Sequence, residues 1–503
     1  MKLTFILVEI TPYRLSHYNY SIGALSAALK EAGHKTTLLH LVKPVKEEEI
    51  VRSISEEHPD IIGFTVVTHV FRHVKQIAVW LKKHFDFPII CGGVHPTLVP
   101  ESVVREEAID MVCVGEGDKA LVDLCNKMAG GEDITSIPNI WVKKDGELFR
   151  NPPRLLVENL DSLPFQDRQV FDYENLAESK NGVARVMASR GCPFNCTYCC
   201  NHQIKKVYEN KGKYMRFRSV SNVLAEIEHL VKTYPFIEFL VFHDDILPVK
   251  IDWLRQFAEE YPKRIGLPFR CNCRPDLMSE EVAHLLHKAG CAKLNFGIES
   301  GNDYIRNKVL NRKVSRSQII DAFALCKKEE IATHAYNMVG LPFESPGSIL
   351  DTMKLNAQIQ PDIIARSVFY PYPKTKLYEI CRKNEFLTQR EFDTFVEGTI
   401  LSQPTISEAQ VNFANQFFPV FVRSYALCRK LPSPLCPLGE RMLDLFFTSK
   451  IIPHWLLAAS KKATMDMLFK LAYFLRQKRT ARLYSLLMYL RTKKEGKLRV
   501  VED

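Results

Sequence analysis

Short apolar runs alternate with stretches of helical period through the first part of the chain. LTFILV (3–8), KTTLLHL (35–41), DIIGFTVV (60–67), FPIICGG (87–93) and DMVCVG (110–115) read as strands. Between them, 22–32, 46–57, 70–84 and 118–128 repeat apolar positions every three or four residues, and Gly33 supplies a C-cap signal. Apolar strands connected by amphipathic helices predict a parallel sheet covered on both faces, a doubly wound Rossmann-like domain over 1–135. Ligands of such sheets lie beyond the strand carboxyl ends. Those ends carry Thr65 and Thr68, then Cys91-Gly92-Gly93-Val94-His95-Pro96-Thr97, then Gly115-Glu116-Gly117-Asp118. Each loop alone reads equally as a tight turn. Small residues in three loops on one edge predict close backbone approach to a large ligand.

Residues 136–183 read as a connector with a small hairpin around the Lys144-Asp145-Gly146 turn and a polar stretch over 159–168. Over 184–385 the rhythm returns. Strands are predicted at 184–189, 236–242, 268–271, 292–298, 333–339 and 363–369. Helices are predicted at 220–233, 250–260, 279–289, 302–309, 315–328 and 346–358. Six repeats suit a partial (β/α)6 barrel, an open relative of the TIM barrel, with its chemistry on the C-terminal strand face. From 386 to 503 helical patterning dominates, at 412–428 and 440–492, separated by the Pro-rich stretch 430–440.

Composition changes this picture in one place. With 46% hydrophobic and 25% charged residues, the chain is ordinary for a globular protein, which excludes a disordered or disulfide-scaffold class. The net charge is +10, yet residues 421–503 hold 17 Lys and Arg against 6 Asp and Glu, leaving the rest near neutral. Glu9 interrupts the apolar start, so no signal peptide is expected. The longest apolar candidate, 443–459, is broken by Lys450, Pro453 and His454, so no membrane span is expected. These readings place the protein in the cytoplasm. The 14 cysteines are then reduced thiols or metal ligands, and Cys91, Cys113, Cys125, Cys291 and Cys326 read as small buried hydrophobes.

Cys192-Pro-Phe-Asn-Cys196-Thr-Tyr198-Cys199 carries the chemistry. Three thiolates at this spacing can hold three corners of a cubane iron–sulfur cluster and leave one iron open, where an ordinary cluster uses four. Cys200 is adjacent but would have to reverse direction to become a fourth ligand. A zinc site completed by His202 is the alternative. The loop follows the first barrel strand, on the face where catalysis is expected.

The motif resembles that of the radical SAM superfamily, and the whole arrangement over 3–385 resembles its members with an N-terminal cobalamin-binding domain. The resemblance implies that Cys192, Cys196 and Cys199 bind [4Fe-4S], that S-adenosyl-L-methionine (SAM) chelates the open iron, and that Tyr198 lies by its adenine. Asp245 in Phe242-His-Asp-Asp245 is implied at the SAM amine, although Leu247 stands where an aromatic is usual. Arg274 resembles a SAM carboxylate contact, and Glu299 belongs to Gly297-Ile-Glu299-Ser-Gly301. Gly340 and Pro342 match a segment flanking adenine. In Tyr370-Pro-Tyr-Pro-Lys374-Thr375, Lys374 replaces a usual glycine. Read singly, Glu299 is also a helix-capping carboxylate, Arg274 a structural ion pair and Gly340-Leu-Pro342 a turn.

For the N-terminal domain, the resemblance implies that Thr65, Thr68, Gly92, Gly93, His95, Thr97, Gly115, Glu116 and Gly117 border cobalamin. The D-x-H-x-x-G motif that supplies an axial histidine is absent, which implies a corrinoid without that ligand. His95 reads as a loop-stabilising residue or, less well, as an axial ligand. The cofactor pair implies C-methylation of an unactivated carbon, with an oxygen-independent porphyrin-type cyclase as the rival. Neither the auxiliary cluster cysteines nor the RNA-binding barrel of a methylthiotransferase is visible, and a cofactor-binding sensor is the non-enzyme alternative. The expected partners are a small-molecule or lipid-like substrate and an electron donor such as flavodoxin or ferredoxin. The basic, aromatic-rich tail reads as a cap on the barrel or as an amphipathic contact with the inner face of an anionic membrane. No nucleic acid is expected, since no RNA-binding module accompanies the tail.

Overall fold

The computed structural model describes residues 1–10, 16–390 and 398–449. The N-terminal strands are β1 (Lys2–Val8), β2 (Lys35–Leu41), β3 (Ile61–Thr65), β4 (Ile89–Gly92) and β5 (Met111–Cys113). The helices around them are α1 (Tyr20–Glu31), α2 (Glu47–Glu57), α3 (Phe71–His84), the short α4 (Val94–Leu98) and α5 (Pro100–Val104), and α6 (Asp118–Ala129). A single 3-10 turn, Thr68–Val70, leads into α3. The Asn19 side chain caps α1 by accepting the Ile22 N–H at 3.1 Å. Strand order is β2-β1-β3-β4-β5, all parallel. The predicted hairpin forms β6 (Ile140–Lys144) and β7 (Glu147–Arg150), and it extends this sheet to seven strands by pairing antiparallel to β5. Its apolar Ile140 and Val142 join the core, so the hairpin is an edge of the sheet rather than a free connector.

The barrel sheet consists of β8 (Val183–Val186), β11 (Phe239–Phe242), β12 (Phe269–Cys273), β13 (Cys291–Glu299), β14 (Ala332–Val339) and β15 (Ile363–Val368). Its order, β15-β14-β13-β12-β11-β8, is parallel throughout. Between β8 and β11 lies a two-stranded antiparallel piece, β9 (Ser189–Arg190) with β10 (Arg216–Phe217), which the sequence pattern does not announce. The helices are α7 (Asn201–Val207), α8 (Val220–Thr233), α9 (Ile251–Arg264), α10 (Glu280–Lys288), α11 (Arg316–Lys328), α12 (Pro346–Ile359) and α13 (Lys376–Lys383).

The helix expected over 302–309 is instead a π-helical turn, Ile305–Val309. Within it Arg306 is fully buried, and its guanidinium donates to the carbonyls of Ser300 (2.9 Å) and Val314 (2.8 Å). At the C-terminal side, α14 (Glu408–Cys428) starts earlier than its apolar pattern suggests, because Ser407 and Gln410 form a capping box. The Pro-rich stretch does not separate two helices to its end. α15 (Leu435–Thr448) begins inside it, with Pro437 in the first turn, where its missing N–H has no intrahelical partner to lose. The predicted helix beyond 449, with Trp455 and Tyr489, lies outside the described residues.

One apolar cluster runs from α1 and α6 through Phe171, Tyr173 and Leu176 into the helix-facing side of the barrel strands, joining the two sheets. A separate cluster packs α14 and α15 on α12 through Phe413, Phe418, Phe421 and Phe447. The five cysteines expected in the core are all buried and free.

Candidate active site

The cysteine loop begins where β9 ends. Gly191 has a positive φ of 87°, and a Cβ there would stand 2.5 Å from the Tyr214 carbonyl oxygen. Thr197 anchors the loop: its N–H donates to Leu310 O (3.1 Å) and its hydroxyl to Val309 O (2.7 Å). Cys196 is buried, and Cys192 and Cys199 are half-buried. Two sulfurs receive N–H donors. Arg274 Nη1 lies 3.4 Å from Cys196 Sγ, and Asn201 Nδ2 lies 3.6 Å from Cys199 Sγ. The Arg274 guanidinium stacks 3.6 Å over the Phe194 ring and donates to Asp276 (3.0 Å) and Arg312 O (2.6 Å). It therefore serves as an ion pair and as a sulfur contact together.

Burial pushes the Cys192 thiol up to about 12 and raises Cys196. The hydrogen bond from Cys200 outweighs burial at Cys199 and brings it to about 7. His202 is turned to another use, its Nε2 accepting the Lys376 N–H at 3.2 Å. No group of three His, Cys, Asp or Glu among the described residues closes on a single metal ion. A cubane presents separate corners, so three cysteines spread around one loop, with N–H donors beside two sulfurs, fit that larger group.

Beside the loop, Tyr198, Glu299 and Arg312 form a polar knot. Tyr198 donates to Glu299 Oε1 (3.1 Å), while Arg312 donates to the Tyr198 hydroxyl (2.5 Å) and to Gly297 O (2.6 Å). Glu299 stands at the end of β13 with φ 63°, a strained value for a side-chain-bearing residue. Burial raises its carboxyl, opposed by Arg312 and by the Tyr198 bond. The two aspartates after β11 divide. Asp244 is buried and accepts the Ala188 N–H (3.1 Å) and the Ser189 hydroxyl. Asp245 faces solvent and accepts from Asn201 Nδ2 at 3.1 Å. Asn201 thus links Asp245 to the cysteine loop. At the end of β14, Gly340 has a positive φ of 76°, and Glu344 Oε2 accepts the N–H groups of Gly340 (2.6 Å) and Leu341 (3.1 Å). Pro342 lies inside that turn.

Across from this face lies the carboxyl edge of the N-terminal sheet. Val67 and Val94 are 42% and 36% exposed there, an apolar rim that suits the face of a corrin ring. Two of its glycines are crowded by protein atoms. A Cβ on Gly93 would meet Val66 N and O at 2.9 Å, and one on Gly115 would overlap the Tyr208 hydroxyl. Both admit protein atoms. Thr97 is a loop brace, donating to Gly93 O (2.7 Å) and accepting the Gly115 N–H (2.9 Å). His95 is buried, 3.2 Å from Thr68 Oγ1 by its Nδ1 and 4.6 Å from the Phe71 ring; burial lowers its pKa to about 4, so it is neutral.

Glu116 is engaged by Arg216, with Nη1–Oε2 at 3.2 Å, and its N–H donates to Tyr208 Oη at 2.5 Å. Next to Gly117, Asp118 pairs with Arg190. Thr65 ends β3 against Gly93. The edge and the cysteine loop are therefore bolted together, and α4 packs on α7.

Residues 186–355 match the radical SAM superfamily, and residues 8–125 match the B12 binding domain. The chain is a radical SAM enzyme with a cobalamin-binding domain. Its cofactors are [4Fe-4S], SAM and cobalamin, and the three cysteines and the apolar rim have the chemistry to hold them. Among relatives, the chain is 27% identical to an uncharacterized methyltransferase of Pyrococcus horikoshii, over 77% of this chain and 85% of that protein. It is 25% identical to an anaerobic magnesium-protoporphyrin IX monomethyl ester cyclase of Rubrivivax gelatinosus, over 71% of this chain and 65% of that one. The fold is similar to that of OxsB, a cobalamin-dependent SAM radical enzyme solved with aqua-cobalamin and SAM bound. The TM-score is 0.67 at 18% identity, covering 95% of this chain and 75% of that one.

Several residues at this radical SAM and cobalamin site carry no sequence signal. Arg312, Tyr208, Arg190 and Arg216 act across separations of 72 to 114 residues. Glu9, at the end of β1, holds His17 Nδ1 (3.1 Å) and His40 Nε2 (2.8 Å). Burial would raise its pKa, but the two imidazoles outweigh burial and bring it to about 2. Tyr20 stacks on His243 at the mouth of the barrel, with centroids 5.6 Å apart.

Proposed function

We propose that this enzyme methylates an unactivated carbon of a small hydrophobic or lipid-like substrate held between the cysteine loop and the carboxyl edge of the N-terminal sheet. The observation that carries the reading is the rigid facing of these two surfaces, through Arg190–Asp118, Arg216–Glu116 and Tyr208–Glu116. Two groups that must act on one carbon need a fixed separation. When bound, the cluster supplies the electron for reductive cleavage of SAM and the corrinoid supplies the methyl group. The chain's own residues position and exclude. Arg274 donates to Cys196, Asn201 joins Cys199 to Asp245, and Asp245 faces the amine of SAM. Tyr198, held by Glu299 and Arg312, borders the adenine, and Glu344 fixes the Gly340 turn beside it.

The lipid-like substrate is supported by α15. Its inner side carries Leu443 and Phe447, yet Leu435, Leu438, Met442 and Leu445 on the outer side are 50 to 64% exposed. A helix apolar on both sides calls for a second apolar surrounding. The chain after it, residues 450–503, holds 13 Lys and Arg against 4 Asp and Glu. An apolar row followed by a basic stretch matches the interface of an anionic bilayer.

The test is product mass. Comparative lipid and metabolite analysis of a deletion strain should reveal a missing compound heavier by one methylene than its accumulating precursor. A precursor and product related by ring closure instead would establish the cyclase reading.

A further inference from the structure

Cys271, Leu294 and Phe296 on the barrel strands belong to the core under the helices. Side chains alternate along a strand, so the residues between them face the lumen of the barrel. Parallel pairing sets those residues in rows, Arg185, Arg270 and Lys293 in one and Asn272, Asn295 and His334 in the next. Arg270, Lys293, Asn295 and His334 are all buried. A buried wall of polar side chains is a poor receptacle for hydrocarbon.

Asn272 and Asn295 form a short ladder across this wall. Asn272 Nδ2 donates to the Asp244 carbonyl oxygen at 2.8 Å. A carbonyl only accepts, so this bond fixes which end of the Asn272 amide is nitrogen. Its Oδ1 then accepts from Asn295 Nδ2 at 3.1 Å, which fixes the second amide in turn. What remains is Asn295 Oδ1, an acceptor on a side chain that is 6% exposed, with no hydrogen-bond partner among the described residues. Buried acceptors are ordinarily satisfied. A second polar atom in the same state comes from the other domain. Tyr20, the first residue of α1, lays its ring on His243 at 14° from parallel, and its buried hydroxyl also has no hydrogen-bond partner among the described residues.

We propose that the barrel lumen receives the polar end of the substrate, and that this end is a hydroxyl donating to Asn295 Oδ1. A hydroxyl gives one hydrogen bond and takes another, so it also suits a wall that carries donors in Arg270 and Lys293. An ether has no proton to give, and a hydrocarbon end would leave the acceptor buried and unmet. The rest of the substrate then points outward. Asn295 lies four residues before Glu299 on β13, about 13 Å along the strand. The apolar part therefore lies toward the strand ends, where the cysteine loop and the N-terminal sheet face each other. The inference rests on the reading of a lipid-like substrate held at the barrel mouth. It adds which end enters first and what group that end bears.

The experiment uses the anaerobically reconstituted holoenzyme without reductant, so that no turnover occurs. The probes are n-decanol and n-decyl methyl ether, alike in chain and different in the donor. Calorimetry should show the wild type binding the alcohol at least about tenfold more tightly than the ether. Asn295→Leu, close to asparagine in size, should erase that preference, and Asn295→Asp, which keeps an acceptor, should preserve it. Equal affinity of the wild type for the two probes overturns the proposal, and is the result a water molecule resident on Asn295 would give. A preference that survives intact in a folded Asn295→Leu protein also overturns it. Should Asn295→Leu fail to fold, the wild-type comparison and Asn295→Asp still decide. A wild-type enzyme that binds neither probe overturns the lipid-like reading instead.

Discussion

Arg190 and Asp118 close a bidentate ion pair across the two domains, with Nη1–Oδ2 at 2.8 Å and Nη2–Oδ1 at 2.9 Å. Asp118 opens α6 of the cobalamin-binding domain, and Arg190 ends β9 two residues before Cys192. Burial raises the Asp118 carboxyl, but Arg190 more than offsets it, and the net shift is downward. The pair therefore stabilises the fold above the ordinary aspartate range, and its contribution is lost as pH falls through the lowered value. Asp118→Asn leaves a largely buried guanidinium without its main partner. The expected cost is about 3 kcal/mol, at the low end for broken buried pairs because Glu116 remains within 3.4 Å. Urea unfolding of the variant measures it. A change under about 0.5 kcal/mol, the size of an ordinary surface effect, would remove the pair from the domain interface.

Cys196→Ala should eliminate the cluster and with it SAM cleavage. Arg274 would keep Asp276 and the Arg312 carbonyl, so folding should survive. The measurement is iron content together with 5′-deoxyadenosine after reduction. Wild-type amounts of 5′-deoxyadenosine from this variant would refute the assignment of the loop.

Tyr198→Phe removes a hydroxyl that Arg312 donates to and that donates to Glu299. Hydrogen bonds to charged groups contribute about 1.5–3 kcal/mol to stability, so the ring loses its anchor and SAM binding should weaken. Equilibrium dialysis with SAM reads this directly. Iron content should stay unchanged, since Tyr198 is not a cluster ligand, and a parallel loss of iron would reassign it to the cluster.

Glu344 is buried with its pKa raised to about 8 by desolvation, opposed by the N–H groups of Leu341 and Gly340. The folded protein thus binds a proton that the unfolded chain releases near the ordinary glutamate value of 4.5. Stability from this group is full below that pH and declines as pH rises toward 8. Glu344→Gln keeps an acceptor for both N–H groups and cannot ionise. Its stability should fall less than that of the wild type between pH 5 and pH 8, compared by urea titration at each pH (about the limits of the window). Parallel curves for the two proteins would contradict this.

Replacing Leu438 and Met442 by Asp should reduce co-flotation of the full-length protein with vesicles containing anionic lipid. Both side chains are more than half exposed, so Tm should move little. Undiminished flotation would leave the basic stretch alone responsible, and a lower oligomeric state in the variant would assign the face to a second copy of the chain.

The sheets were legible because burial on both faces leaves continuous apolar runs. KTTLLHL gives β2 to the residue, and the helix read over 220–233 is α8. The cysteine loop was legible because its three cysteines lie within eight residues. What escaped were interactions between distant segments. Nothing local marks Arg312 as a partner of Tyr198, 114 residues away. Glu116 reads as a loop residue for a ligand, yet Arg216, 100 residues on, takes its carboxylate. The π-turn at Ile305–Val309 escaped as well: nothing local marks Arg306 as buried with its guanidinium on the Ser300 and Val314 carbonyls.

Gly115 and Tyr208 carry a consequence for recombining these domains. The tyrosine hydroxyl occupies the space where any other residue at 115 would place its Cβ, and it also takes the Glu116 N–H. A hybrid that joins this N-terminal half to the barrel of a relative lacking an aromatic at this place inherits a hole and an unmatched amide. The reverse hybrid inherits a collision. The two halves are therefore heritable as a matched set, and chimeras should be cut so that 115 and 208 travel together.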